Sequence, residues 1–206
     1  MASLFAARTA GVVLAGGRSR RFGSDKAAAM LAGRPLLDWT LARLDGFCAE
    51  VAVAAPAESD AGELASALSR VLLTDAPGHP EGPLAGVAAG LVWAAARGFE
   101  VLATLPCDAP LVTDEVFDRL FAALEGAGGA YAVTADGPQG LVALWRTDQA
   151  ETLLRRLAAG EHPPVREALA AADGRAVMFE DAALFRNLNT PEDLATAEAA
   201  LARQPP

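Results

Sequence analysis

Four cationic side chains stand within nine positions just after a glycine pair. Arg18, Arg20, Arg21 and Lys26 follow Gly16-Gly17, with Gly23 among them. Glycines let a backbone come close to a ligand, because no Cβ separates its N–H groups from the bound atoms. Successive amides plus a cluster of cations suit a polyphosphate better than other small ligands. Two common phosphate motifs do not fit. A P-loop has four residues between its glycines and a Lys directly after the second, whereas five separate Gly17 from Gly23 and Ser24-Asp25 intervene before Lys26. The dinucleotide pattern GxGxxG is excluded by the adjacency of Gly16 and Gly17. Taken alone, the stretch also fits a glycine turn followed by solvated arginines.

Carboxylates supply the complementary chemistry. Asp108 follows the apolar run Phe99–Leu105 and is bracketed by Pro106 and Pro110, which restrict the backbone and remove donors. A carboxylate held at a strand end opposite a polyphosphate loop suits magnesium, which takes one or two carboxylates plus phosphate oxygens; the competing reading is a turn Asp bonded to its own backbone. Asp75, after Val71–Leu73, fits a loop cap or a ligand contact. Cys107 reads as a small buried thiol rather than a nucleophile, and His79 and His162 read as loop residues.

The elements that must position these groups alternate. Gly11–Leu14 is an apolar run with no polar face, as in a strand buried on both sides. A helix is expected to open at Arg34-Pro35 and run to about Gly46. Strands are expected at 50–55, 71–73 and 99–105. Another pair, 130–135 and 141–145, flanks a Gly137-Pro138 turn, and the last strand is at 175–179. Helices are expected at 60–69, 84–97 (closed by Gly98), 113–125, 148–158, 164–172 and 191–203. Such alternation predicts an α/β fold with a mostly parallel sheet and helices on both faces. In such a sheet ligands bind beyond the carboxyl ends of the strands. Gly16-Gly17, Ala54-Ala55, Asp75 and Asp108 all stand at those ends.

Composition narrows the partners. A chain of 206 residues is long enough for one sizeable core, and one domain spanning 1–206, with its core at about 10–201, is expected. The net charge of −9 argues against nucleic acid, since no excess of cations exists to neutralise a phosphate backbone. It also makes the basic loop a local exception. No window reaches the ~18 apolar residues of a membrane span, and the RSRR after the first apolar run is the wrong flank for a signal peptide. Cys48 and Cys107 read as reduced thiols, which points to the cytoplasm.

Two further segments have both structural and ligand-facing readings. In Glu81-GPLAGVAAGL, Pro83 fits the first turn of a helix, while Gly82, Leu84 and Gly86 would let a flat purine lie against backbone. In Phe185-RNLNTPEDL, Thr190 as N-cap, Pro191 at the first helical position and Asp193 three after the cap explain a helix start. Asn187 and Asn189 are left over, placed to present amides to a shared site.

The ordered set LAGGRSRRFGSDK, Asp75, EGPLAG, LPCDAP and FRNLNTPEDL, from residue 10 to about 201, resembles the molybdenum cofactor guanylyltransferase family. The resemblance implies a Rossmann-like three-layer α/β/α fold of the nucleotide-diphospho-sugar transferase type. It also implies transfer of GMP from GTP to molybdenum-bearing molybdopterin, with release of pyrophosphate and with Mg2+ as cofactor. Carried across, Leu14, Ala15 and Gly16 would meet the base and ribose, and Gly17, Gly82, Pro83 and Leu84 would also belong to the nucleotide site. Arg21 and Lys26 would meet the phosphates, Asp75 would assist nucleotide binding and Asp108 would hold magnesium. Gln139, Asn187 and Asn189 would line the acceptor side. Molybdoenzymes or insertion chaperones are the partners implied downstream. Two departures bear on the acceptor and nucleoside: Ala54-Ala55 stands where members often carry Asn, and Gln139 is followed by Gly140 where many have Pro. The alternatives are a cytidylyl- or sugar-nucleotidyltransferase on the same fold, and a non-catalytic nucleotide-binding domain. LAGG rather than LAAG speaks against the cytidylyl reading.

Overall fold

The computed structural model describes residues 5–16, 26–74 and 82–201. Its main sheet has seven strands: β1 (Thr9–Leu14), β4 (Glu50–Ala54), β5 (Val71–Leu73), β6 (Val101–Pro106), β7 (Gly129–Thr134), β8 (Gly137–Arg146) and β9 (Gly174–Met178). A small hairpin adds β2 (Met30–Leu31) and β3 (Arg34–Pro35). Across the sheet the order is β5-β4-β1-β6-β8-β7-β9, and only β8 runs against the rest. Helices α1 (Leu36–Phe47), α2 (Asp60–Ala67), α3 (Pro83–Ala96), α4 (Asp114–Ala123), α5 (Ala150–Ala158), α6 (Val165–Ala171) and α7 (Pro191–Leu201) complete it. This is the Rossmann-like α/β arrangement expected from the alternation.

Strand β1 shows why the sheet is covered on both sides. All six residues are buried, and the two-residue period sends alternate side chains to opposite faces. Val13 and Ala15 enter a core with Leu41 and Leu44 of α1 and Phe117 and Leu120 of α4. Ala10, Val12 and Leu14 enter another with Val87 and Leu91 of α3 and Leu153 of α5. A continuous apolar run is the cost-free solution only when neither face meets water. Helix α3 lies unusually close to the sheet. A Cβ on Gly90 would stand 2.9 Å from a Leu102 methyl, and one on Gly86 would stand 3.0 Å from a Leu14 methyl and 3.3 Å from the Ala54 Cβ.

Three local expectations need correction. Helix α1 begins at Leu36, not at Arg34-Pro35. Pro35 is extended (φ −57°, ψ 146°), pairs with Met30, and is followed by a Leu36 N–H that donates to the Ala29 carbonyl at 2.9 Å. The hairpin that claims it turns at Ala32 (φ 49°) and Gly33 (φ 77°). Two successive left-handed residues make the turn that matches strand twist, and Ala-Gly is a faint signal for it. Strand β6 starts at Val101, because the Phe99 N–H is taken by the Ala94 carbonyl as α3 closes over Gly98. Strand β8 starts at Gly137 rather than 141: Gly137-Pro138 already pairs with Thr134 and Val133. Tyr131 then pairs with Ala143 while Ala132 pairs with Gln139, so residues 140–142 form a bulge.

Candidate active site

The strand order reverses direction around β1. From β1 the chain moves to β4 and β5 on one side, then crosses to β6 on the other. The crevice beyond the carboxyl ends of β1 and β6 is therefore where a ligand is expected. Leu14 is level with both Ala54 and Pro106, so the ends of β4, β1 and β6 finish together. The Ala15 N–H donates to the Ala54 carbonyl at 2.9 Å, and the Cys107 N–H to the Leu14 carbonyl at 3.1 Å. Gly16 emerges exposed beyond this clamp. A methyl there would make only ordinary contacts, 3.9 Å from the Ala54 carbonyl and 4.0 Å from Pro56.

Lys26, Asp108 and Asn189 converge on this rim. Lys26 lies in a short 3-10 turn, Lys26–Ala28, before the hairpin, and Asp108 stands two residues past β6. Asn189 belongs to the segment between β9 and α7. The Lys26 ammonium donates to Asp108 Oδ2 at 2.8 Å and to Asn189 Oδ1. Both charged side chains keep about a fifth of their surface, 18% and 19%, so the pair is neither freely solvated nor sealed. Asp108 lies in the turn after β6, and its carboxylate reaches across the rim to Lys26.

The 187–190 segment is pinned from behind. Leu188 is fully buried against Leu31, Leu36 and Ala197, and its N–H donates to the Asp108 carbonyl at 2.8 Å. Burying Leu188 leaves Asn187 exposed and Asn189 half-buried. The helix start expected from Thr190, Pro191 and Asp193 is present: the Asp193 N–H donates to Thr190 Oγ1 at 3.1 Å, and the Thr190 N–H to Asp193 Oδ2 at 2.9 Å. The same carboxylate accepts the Asn189 N–H at 2.9 Å, a contact not anticipated from the sequence. Asn189, the two groups of Thr190 and nearby Arg186 hold the Asp193 carboxyl below its usual range.

The other expected residues divide into placed and undescribed ones. Leu14 and Ala15 are buried, and Leu84 is 2% exposed in the same core as Leu14, so these three could offer a ligand mainly backbone. Gly82 precedes α3 at φ +153°, a conformation that favours glycine, and Pro83 takes the first helical position as expected. Gly86 faces the sheet rather than open space. Gln139 sits beside the β8 bulge, where Nε2 donates to Thr134 Oγ1 at 3.5 Å. That bulge is tied to β6 by the buried Thr104 hydroxyl, which lies 2.8 Å from the Leu141 carbonyl. A Thr in an apolar strand carries no sequence signal for such a role. His162 is exposed in the connection from α5 to α6, with Nδ1 4.0 Å from where a Gly82 Cβ would stand. Cys107 is buried. Gly17, Arg18, Arg20, Arg21, Asp75 and His79 lie outside the described residues.

Among the described residues no group of three or more His, Cys, Asp and Glu could cage a metal. Asp108 brings a carboxylate to the rim beside Lys26. That donor set fits magnesium, which keeps water and phosphate oxygens and needs only one or two carboxylates. No helix among the described residues is long and apolar enough to cross a membrane.

Comparisons with known proteins bear on the family and the fold. The family model for the MobA-like NTP transferase domain matches residues 11–176. A molybdenum cofactor guanylyltransferase of Cereibacter sphaeroides is 43% identical over 195 residues, covering 94% of this chain and 97% of that one. Among solved structures, molybdopterin-guanine dinucleotide biosynthesis protein A of Archaeoglobus fulgidus superposes with a TM-score of 0.75 at 25% identity, covering 95% of this chain and all of that one. A 4-diphosphocytidyl-2C-methyl-D-erythritol synthase of Anaerococcus prevotii reaches a TM-score of 0.72 at 14% identity, covering 96% of this chain and all of that one, a likeness of fold alone.

Proposed function

The chain belongs to the MobA-like NTP transferase family and, within it, to the molybdenum cofactor guanylyltransferases, and on that footing we propose how its rim of side chains transfers GMP from GTP to molybdopterin. The observation that carries the reading is the meeting of Lys26, Asp108 and Asn189, residues 82 and 163 positions apart, at one strand end. A cation there neutralises phosphate charge. Asn189 presents an amide beside it, toward the acceptor.

The acceptor is a phosphate monoester whose second pKa is about 6, so it is a dianion at neutral pH. No general base is needed. One of its oxygens forms a bond to the α-phosphorus of GTP, and the bond from that phosphorus to the bridging oxygen breaks. Pyrophosphate leaves with the electron pair. The protein's task is to hold two anions together in line and to stabilise the charge that builds on the leaving group. In this reading Lys26, with Arg21 from the glycine loop, supplies positive charge to the phosphates. The first turns of α3 supply backbone and the favourable end of a helix dipole beside β1 and β4. Gly16 gives the guanine room, Gly17 belongs to the same nucleotide site, Asp75 assists the nucleoside, and Gln139 and Asn187 serve the pterin side.

Magnesium is the metal we assign, with Asp108 as its protein ligand. When bound it would polarise the α-phosphate and neutralise the departing pyrophosphate. Lys26 holds the Asp108 carboxylate meanwhile, which keeps a partly buried charge paired. The reading places the reaction in the cytoplasm, where buried thiols such as Cys48 stay reduced. Molybdoenzymes or their insertion chaperones would take the product.

The test is incubation with each of the four NTPs, magnesium and molybdopterin while pyrophosphate release is followed. GTP alone should support turnover, and release must require molybdopterin. Faster release with CTP would turn the assignment toward a cytidylyltransferase.

A further inference from the structure

A capping box needs only the reciprocal bonds between the N-cap residue and the third helical residue. Asp193 makes those bonds to Thr190 and one more. Its Oδ2 accepts from the Asn189 N–H at 2.9 Å, the Thr190 N–H at 2.9 Å and the Thr190 hydroxyl at 3.0 Å. The extra bond lies outside helix α7, on the residue whose side chain accepts from the Lys26 ammonium. On the other side of Asn189, the Leu188 N–H is held by the Asp108 carbonyl at 2.8 Å. Asn189 thus hangs between two anchors, Asp108 and Asp193. With its N–H fixed, few backbone settings remain, and the amide oxygen is aimed at Lys26.

We propose that Asp193 is a positioning residue for guanylyl transfer: its carboxylate fixes the Asn189 backbone and so aligns Asn189 Oδ1 with the Lys26 ammonium, which stands on Asp108. This rests on the reading of Lys26 and Asn189 given above. The charge of Asp193 is what makes it suited to the task. A carboxylate accepting several donors binds each more strongly than a neutral acceptor would, and misplacing a catalytic contact by about 1 Å can cost up to ~100-fold in rate.

The test is a double-mutant cycle on kcat/KM for GTP, with the melting temperature of every variant recorded. Asn189→Ala and Asp193→Ala should each lower kcat/KM about tenfold, which is ~1.4 kcal/mol. Because one acts through the other, the double variant should be within about twofold of Asn189→Ala alone. Thr190→Val removes the cap hydroxyl but leaves the bond to Asn189. It should lower the melting temperature much as Asp193→Ala does, while kcat/KM stays within about twofold of the parent. Asp193→Asn keeps a neutral acceptor, so it should fold and lose only about threefold, and that loss must also vanish in the Asn189→Ala background. It carries the test if the alanine variant does not fold. Two outcomes overturn the proposal: losses that multiply in the double variant, or a Thr190→Val rate as low as that of Asp193→Ala. A parental rate in Asn189→Ala overturns the role of Asn189 itself, and with it the route from Asp193. A loss there with none in Asp193→Ala removes only the positioning role.

Discussion

Replacing Asp108 by Asn keeps the shape and an acceptor oxygen but removes the charge, so stability and rate can be predicted separately. The side chain is about one-fifth exposed and holds Lys26 at 2.8 Å. Exposed pairs are worth ~0–1 kcal/mol, and breaking a fully buried one costs ~3–5. This half-screened pair, with an amide left in place, should lose ~1–2 kcal/mol by the same scale. For a domain of this size that lowers the melting temperature by ~2–8 °C. The Leu188 N–H bond to the Asp108 carbonyl is a backbone contact and survives. The variant therefore stays folded at 25 °C. Loss of the metal ligand is a larger effect. Lewis-acid polarisation of a phosphoryl group is worth several kcal/mol, and every ~1.4 kcal/mol is tenfold in rate, so a fall of at least about a hundredfold is expected. The assay is pyrophosphate release from GTP and molybdopterin over a magnesium series, beside a thermal melt. A folded Asp108→Asn protein that transfers GMP near the parental rate, at an unchanged magnesium requirement, would refute the reasoning. Asp108 would then be only the partner of Lys26.

Lys26→Ala should raise the GTP dissociation constant and flatten its dependence on salt, because a cation that meets phosphates contributes a screened attraction; titration at several ionic strengths reads this, and an unchanged slope returns Lys26 to a structural ion pair. Gly16→Ala should fold normally, since a methyl there meets nothing nearer than 3.9 Å, and should weaken GTP more than CTP; equal losses would remove Gly16 from the base site. Burial, aided by Asp45, pushes the Cys48 thiol well above its ordinary value of 9.0. The folded state therefore favours the protonated form, and that stability, fully present below about pH 9, is lost as pH rises and the unfolded chain ionises. Denaturant midpoints measured between about pH 8 and 10 should fall more steeply for the parent than for Cys48→Ala, and parallel slopes would exclude the assignment.

The period-two and helical patterns determined the architecture well in advance. Gly11–Leu14 could be read as a two-sided strand because every position is apolar, and burying such a run requires helices on both faces. The start of α7 was equally legible, since each of Thr190, Pro191 and Asp193 has a local capping role. Local chemistry of that kind is written in neighbouring residues. The β2–β3 hairpin was not legible, because Ala32-Gly33 is a weak form of its turn and Pro35 also suits a helix start. Nor was the antiparallel insertion of β8 between β6 and β7, nor the bulge held by Thr104. Those depend on which strands become neighbours. The site divides along the same line. Residue types and spacing were enough to nominate Lys26, Asp108 and Asn189 individually. Only the crossing from β5 to β6, and the burial of Leu188 beneath Asp108, bring the three onto one ammonium group and put Asp193 behind them. Contacts spanning 82 and 163 positions are set by sheet order and packing, which no local pattern encodes.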